Sequence, residues 1–303
     1  IEMAGADDVR LEHLAITGGY YGVYAADNMD SDRLAVSNSE VYGNAKSGVW
    51  IYSTNDEMQV IGSAIYNNGT GGVYVMAQDC IISDNVVYNN ADRGIYASGS
   101  DVLVSGNTVY GHSGSDDIGI YLSGGAKASD NVVYGNYIGI QATGSTSIMN
   151  NRVYNNSSAG IKTAYSTSTG NHYIIGNQVY SNPVGIYIGD NASLINNLIY
   201  ANTNQGVLIT SSYSKDSQLI NNTIYQPVGD GVKIQSSATG VSLVNNILWV
   251  EAGYCINVDN TSQSGFSSNY NLFYPAADGK VGLWGGNDYE SWMDWSSGLS
   301  FDP

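Results

Sequence analysis

A phrase of 20 to 26 residues repeats along almost the whole chain, and it leaves few folds open. One column of the repeat reads Tyr42, Tyr66, Tyr88, Tyr110, Tyr134, Tyr154, Tyr180, Tyr200, Tyr225 and then Trp249. A second is glycine, running through Gly22, Gly48, Gly72, Gly94 and Gly119 to Gly231. A third is asparagine: Asn85, Asn107, Asn131, Asn151, Asn177, Asn197, Asn222 and Asn246. Three independent columns in one register are not a chance agreement.

A unit this short has no room for a strand plus a helix. It holds two or three strands of about four or five residues, β-branched and aromatic, punctuated by Gly, Asn and Ser. In Gly94-Ile95-Tyr96-Ala97-Ser98, Ile95 and Ala97 share one face, and Tyr96 and Ser98 the other. Like residues then stack coil on coil, about 4.8 Å apart. The expected fold is all-β, a right-handed parallel β-helix of about ten to twelve coils with a C-terminal cap. A leucine-rich repeat would need a Leu-x-x-Leu-x-Leu signature, which the sequence lacks.

The repeats are expected to fill residues 1–260, beginning with a partial coil whose apolar positions are Val9, Leu11, Leu14 and Ile16. Residues 261–303 read as a last strand and a cap rich in tryptophan (Trp284, Trp292, Trp295) within the same domain. An uncapped end would leave apolar surface and strand edges open. The chain opens in mid-pattern, with Ile1 already in strand-like sequence, and stops at Asp302-Pro303, as an excised part of a longer protein would. Extra residues at Ser53–Gln59, Thr163–Tyr173 and Ser211–Gln218 all follow the same strand of the repeat, so they should project from one side.

Charge excludes one class of partner. A net charge of −17 with only 10 Lys and Arg is unsuited to nucleic acid, whose phosphates need clustered cations. No run is apolar and long enough to span a membrane, and no signal peptide stands at the start. Twenty-five tyrosines and 37 glycines, with abundant Asn, Ser and Thr, point to a secreted or cell-surface solenoid. Cys80 and Cys255 lie on the order of 35 Å apart by coil counting. A disulfide needs Cα atoms within about 7 Å, so both thiols should be free and buried.

The asparagines should be structural, bonding one another and the turn backbone, as should a second ladder at Asn44, Asn68, Asn90, Asn136, Asn156, Asn182 and Asn202. His112 falls in that second register and reads as a substitute for asparagine. The tyrosine column follows an inward Val or Ile and so points outward. An aromatic stripe that long suits packing between parallel solenoids, which predicts a homo-oligomer, with a trimer favoured. Ring stacking within a monomer is the competing account.

The column after the glycine changes character along the chain: Tyr24, Trp50, Tyr74, Tyr96 and Tyr121, then Gln141 and Lys162. Flat aromatic surfaces suit the apolar faces of sugars, and mutual stacking would serve stability equally well. Tyr52 lies in the next outward column. Two residues before each glycine come Lys46, Thr70, Asp92 and Asp117, with Arg93 and Asp116 alongside. Carboxylates on adjacent coils fall in the separation range of glycoside hydrolysis, and their mutual repulsion raises one pKa, supplying an acid beside a base. Asp92, Asp116 and Asp117 are therefore the candidate catalytic residues. Lys46, Trp50, Tyr52, Tyr74, Arg93, Tyr96, Tyr121, Gln141 and Lys162 are the candidate substrate contacts. Asp can also simply cap a turn, and an acidic pair also suits a structural or bridging calcium; the expected chemistry needs no cofactor and no metal. A second grouping, Lys162, Tyr165, His172 and Lys233, has the side-chain types a polysaccharide lyase uses to take a proton beside a uronate.

Two resemblances follow. Nearly the whole chain resembles secreted carbohydrate-active β-helix proteins: pectate lyases, polygalacturonases and alginate epimerases. Asn90-x-Asp92 and Asp116-Asp117 resemble the Asn-x-Asp and Asp-Asp motifs of polygalacturonases, whose histidine-containing motif is missing here, as is the Asp-Pro-His signature of the epimerases. The last hundred residues are similar to the disaggregatase-associated region of Methanosarcina-type archaeal disaggregatases. That likeness is carried by Asn221-Asn222-Thr223-Ile224-Tyr225, Gly231-Val232-Lys233-Ile234, Asn245-Asn246-Ile247-Leu248-Trp249, Glu251-Ala252-Gly253-Tyr254, Asn269-Tyr270-Asn271-Leu272 and Gly279-Lys280-Val281-Gly282. It implies an enzyme that degrades a chondroitin-like heteropolysaccharide between cells. The leading expectation is a glycoside hydrolase with a polysaccharide substrate; a polysaccharide lyase and a non-catalytic glycan-binding module stand as alternatives.

Overall fold

The structure, a computed structural model, describes residues 1–164 and 170–302. It is a parallel β-solenoid of about 12 turns, all-β except for one short helix near the C-terminus. Its contacts divide it into two compact units, Ile1–Arg152 and Val153–Pro303.

A turn of the first unit shows how the repeat is read. Ile81–Ser83, Val86–Tyr88 and Ile95–Ser98 are its three strands. Each pairs in parallel with its counterpart one turn on, Ile82 with Val104, Val87 with Val109 and Tyr96 with Tyr121. The middle residue of each of the first two strands points inward, so Ile82, Val87, Val104 and Val109 are fully buried, while in the third Ile95 and Ala97 face inward and Tyr96 outward. Most strands are three residues long rather than four or five. The cause is a left-handed residue between them. Asp84 (φ 56°) precedes Asn85, and Asn89 (φ 51°) precedes Asn90. Only Asn, Asp and Gly adopt that conformation readily, which explains the Asp-Asn, Asn-Asn and Gly-Asn pairs at the corners.

The second residue of each pair turns inward and builds the ladder. Asn85 donates both its backbone N–H (3.0 Å) and its Nδ2 (3.0 Å) to Oδ1 of Asn107, and Nδ2 also reaches the Val60 carbonyl (2.8 Å). Asn107 repeats this with Asn131, and Asn131 with Asn151. His112 serves the second ladder: Nδ1 lies 2.9 Å from Asn136 Oδ1, and Nε2 lies 3.4 Å from Asn90 Nδ2. Burial holds its pKa down at about 4. The glycine column has a steric cause. A Cβ on Gly72 would sit 2.6 Å from both the Gly94 carbonyl and Val87 Cγ1.

The second unit repeats this logic. Its ladder runs Asn177, Asn197, Asn222, Asn246, Asn271. The strand Leu272–Trp284 pairs with Ile247–Val258 and adds one further turn. Helix Trp292–Leu299, capped by Ser291, lays the buried Trp295 against Gly282, where a Cβ would clash at 2.2 Å. Asp302 then takes the place of the next ladder asparagine. Its Oδ1 accepts from Asn271 N (2.9 Å) and Nδ2 (3.0 Å), and its Oδ2 accepts from Ser268 Oγ and from Trp295 Nε1 (3.3 Å).

Cys80 and Cys255 are free and buried, as expected, and burial pushes both thiols up to about 12. One apolar position of the first coil is corrected: Leu14 is exposed, because its neighbour Ile16 takes the inward place in the strand Ala15–Thr17.

Candidate functional site

Asp92 and Asp117 stand two residues before Gly94 and Gly119, on successive turns. Ile95 pairs with Ile120, so the two carboxylates flank paired strands of the first unit, near enough for the Asp92 charge to act on Asp117. Asp117 ends a turn lengthened by Ser113–Asp116, and its Oδ2 accepts the Gly114 N–H at 2.9 Å. Burial raises its pKa, the Gly114 bond offsets part of that, and the nearby Asp92 and Asp116 carboxylates raise it further. Asp116 occupies the left-handed position of the turn (φ 75°) and is exposed.

Arg93 ties the carboxylates to the aromatics. Its Nη1 is 3.6 Å from Asp92 Oδ2, and its guanidinium carbon lies 5.6 Å from the Tyr96 ring centre and 5.2 Å from that of Tyr121. Trp50, Tyr74, Tyr96 and Tyr121 form one parallel stack. Centroids are 4.0, 4.0 and 4.9 Å apart, and interplanar angles are 2°, 1° and 5°. Of the two arrangements the sequence left open, mutual stacking is the one this column adopts. Each ring of this stack covers the next, so Tyr74 and Tyr96 offer edges and hydroxyls rather than faces. Tyr52 leans against Trp50 (5.8 Å) and Tyr24 (6.2 Å). Gln141 follows Tyr121 in register, and the Tyr121 hydroxyl meets Thr143 Oγ1 at 3.0 Å.

A cleft of about 390 Å³ opens beside this stack, lined by Tyr20, Tyr21, Lys46, Ser47, Trp50, Thr70, Gly71, Tyr74, Asp92 and Arg93. It brings together five sequence candidates: Lys46, Trp50, Tyr74, Asp92 and Arg93. Sequence reasoning missed Tyr20 and Tyr21. The signal was present, since they occupy the same two pre-glycine positions before Gly22 as Lys46-Ser47 do before Gly48. Lys46 N bonds the Tyr20 carbonyl at 2.7 Å and carries the column forward.

Among the described residues, the lyase grouping does not come together, because His172 faces the core. His172 lies in the strand His172–Ile175, fully buried, with its pKa held down at about 4 by burial. An imidazole facing the core cannot take a proton from a polymer outside. Lys162 stands in the second unit with its Nζ 5.4 Å from the Tyr187 ring centre. Lys233 pairs with Leu208 and Asn257, and Tyr165 lies outside the described residues. Among the described residues, no group of three or more His, Cys, Asp or Glu side chains could hold a metal ion.

The stacked register, buried ladders and parallel sheets define a parallel β-helix, and sequence comparison gives the family. The chain belongs to the right-handed β-helix region family, which it matches over residues 1–157 and 116–271. Among solved structures it is similar to pectate lyase Pel9A, with 14% identity, 90% of this chain and 82% of that chain covered, and a TM-score of 0.60. It also matches the A-module of the Azotobacter vinelandii mannuronan C-5 epimerase AlgE4, at 16% identity, 92% and 75% coverage and a TM-score of 0.49. The tailspike protein of E. coli bacteriophage HK620 follows at 12% identity, 93% and 68% coverage and 0.47. No curated protein sequence matches the chain. Among the described residues, no helix is long and apolar enough to cross a membrane.

Proposed function

We propose that this chain is a secreted or cell-surface polysaccharide-degrading enzyme, a glycoside hydrolase acting on an extracellular heteropolysaccharide. The observation that carries the reading is the pair Asp92 and Asp117. Asp92 lines the aromatic cleft, and Asp117, on the next turn, has its pKa raised by burial and by the charge of Asp92 and Asp116. Asp117, kept protonated to higher pH, serves as the general acid that donates to the glycosidic oxygen. Asp92, beside Arg93, serves as nucleophile or base. The disaggregatase-like sequence of the last hundred residues supports a chondroitin-like polymer between cells as the substrate class.

The test is release of reducing ends from purified chondroitin and matrix heteropolysaccharides. Asp117→Asn should lower turnover by at least about 100-fold while polymer binding persists. The rate should fall as pH rises through the raised pKa of Asp117, because the acid form is then lost. Polymer binding without reducing-end release by the wild type would leave a glycan-binding module, and a new ultraviolet absorbance from an unsaturated uronate would mark a lyase instead.

A further inference from the structure

The cleft beside the carboxylates has an excess of hydrogen-bond donors that the hydrolase reading does not use. Lys46 and Arg93 both line it, in a chain with 27 Asp and Glu against 10 Lys and Arg. Several cations of this acidic molecule find a carboxylate: Arg33 binds Asp8, Lys127 binds Asp101 and Lys280 binds Asp288. Lys46 makes no ion pair among the described residues. Its ammonium stands 6.0 Å from the Tyr20 ring centre at the cleft wall. Two more N–H groups of lining residues, Trp50 Nε1 and Arg93 Nε, are shielded from solvent and find no acceptor among the described residues. The hydroxyls of Ser47 and Thr70 are spent on each other at 2.8 Å. Leaving buried N–H groups unpaired is costly, and ammonium, guanidinium and indole nitrogens offer donors and no acceptors. Asp92, the carboxylate of this lining, is engaged by Arg93, which leaves the Lys46 ammonium as the charge whose complement is a negative group.

We infer that the Lys46–Trp50–Arg93 wall is a specificity subsite for the acidic group, carboxylate or sulfate, of a sugar neighbouring the bond that is cut. The inference rests on the hydrolase reading for its position relative to the reacting bond. Lys46 supplies the charge. Arg93 and Trp50 supply oriented N–H donors, and Arg93 couples the subsite to Asp92. Direct contact with Lys46, with Asp92 offset by Arg93, lets a strongly acidic protein hold an acidic polymer, because contact within a few ångströms outweighs the more distant charge that salt screens beyond about 8 Å.

Four chondroitin hexasaccharides distinguish the sources of the anion: sulfated, unsulfated, carboxyl-reduced sulfated, and carboxyl-reduced unsulfated. Binding is followed on the full chain of Asp117→Asn, by titration calorimetry and by the Trp50 indole ¹H–¹⁵N resonance, assigned with Trp50→Phe. At least one charged hexasaccharide should bind tenfold or more tightly than the neutral one and move the Trp50 resonance. The unsulfated arm reads carboxylate and the carboxyl-reduced sulfated arm reads sulfate. Lys46→Gln should remove most of that preference and Lys46→Arg should restore it, with the thermal midpoint unchanged. Equal binding of charged and neutral hexasaccharides, or a Trp50 resonance that stays still in every arm, overturns the subsite. The two readings fail separately. A charge preference in a protein that cleaves no glycan removes the hydrolase and keeps the subsite, whereas cleavage indifferent to charge does the reverse.

Discussion

His112 shows how a side chain is chosen by the bonds it must complete. An imidazole with Nδ1 donating to Asn136 and Nε2 accepting from Asn90 reproduces the donor and acceptor pattern of an asparagine in the ladder. That pattern exists only in the neutral ring. Its folded pKa of about 4 lies below the ordinary 6.5, so the unfolded chain binds a proton that the folded one refuses. The contribution is fully present above about pH 6.5 and is lost as pH falls toward 4, by roughly 3 kcal/mol if the shift is fully expressed. His172, also held down at about 4, adds to the same slope. His112→Asn should flatten part of the acid limb while keeping the ladder intact, which denaturant titrations at pH 7.5 and 5 would read. An unchanged difference between those two stabilities would show that the ring is not held neutral. The candidate site residues obey the same rule of local bonding. Asp117 was legible as an acid candidate from its column, but its anchoring to Gly114 N–H depends on the turn 114–117, which no column of the repeat contains.

At the level of the element, the cap is a continuation of the ladder by other means. The helix Trp292–Leu299 brings the chain back so that Asp302 meets Asn271, Ser268 and Trp295 where a further asparagine would stand. Asp302→Ala leaves the Asn271 and Trp295 donors buried without this acceptor. At about 1–3 kcal/mol per unpaired group, the last turn should loosen before the rest. Hydrogen exchange should therefore quicken over Ser267–Trp284 and stay slow at Val86–Tyr88. Uniform protection in the variant would refute the latch. The Trp-rich tail was readable as a cap because its period fails. That its last aspartate closes the asparagine ladder was not readable, since Asp302 lies 31 residues from Asn271 with no spacing to mark it.

For the molecule as a whole, the tyrosine stripe bears on assembly. Tyr42, Tyr66, Tyr88, Tyr110 and Tyr134 stack at 4.8 to 5.1 Å in the first unit, each ring covering the next. In the second unit the parallel stack breaks at Trp249. That ring is tilted 51° to Tyr225 and stands at 89° to Tyr274. Trp249, Leu272 and Tyr274 are left 41%, 59% and 57% exposed. If the proposed trimer forms, this is the part of the stripe with apolar area left to bury. Light scattering should then give three times 32.2 kDa at micromolar concentration, and Trp249→Ser with Tyr274→Ser should reduce it to the single-chain mass. A wild-type mass near 32.2 kDa would leave the stripe as an intramolecular stack.

Period, corner chemistry and charge were properties of the sequence alone. A 20- to 26-residue repeat with inward Val and Ile, paired Asn at its corners and glycine before a strand can bury its apolar positions only by stacking, so the solenoid, its ladders and its free buried thiols were legible without coordinates. The direction of a side chain around its own torsions was not. Whether a tyrosine shows its face or its edge depends on the ring one turn away, 4.0 Å distant at Tyr74 and Tyr96. Whether His172 faces a polymer or the core depends on which sheet its strand joins after a long insertion. The cleft between Tyr20 and Arg93 was likewise decided in three dimensions, because its wall is built from four turns of chain and none of them holds it alone.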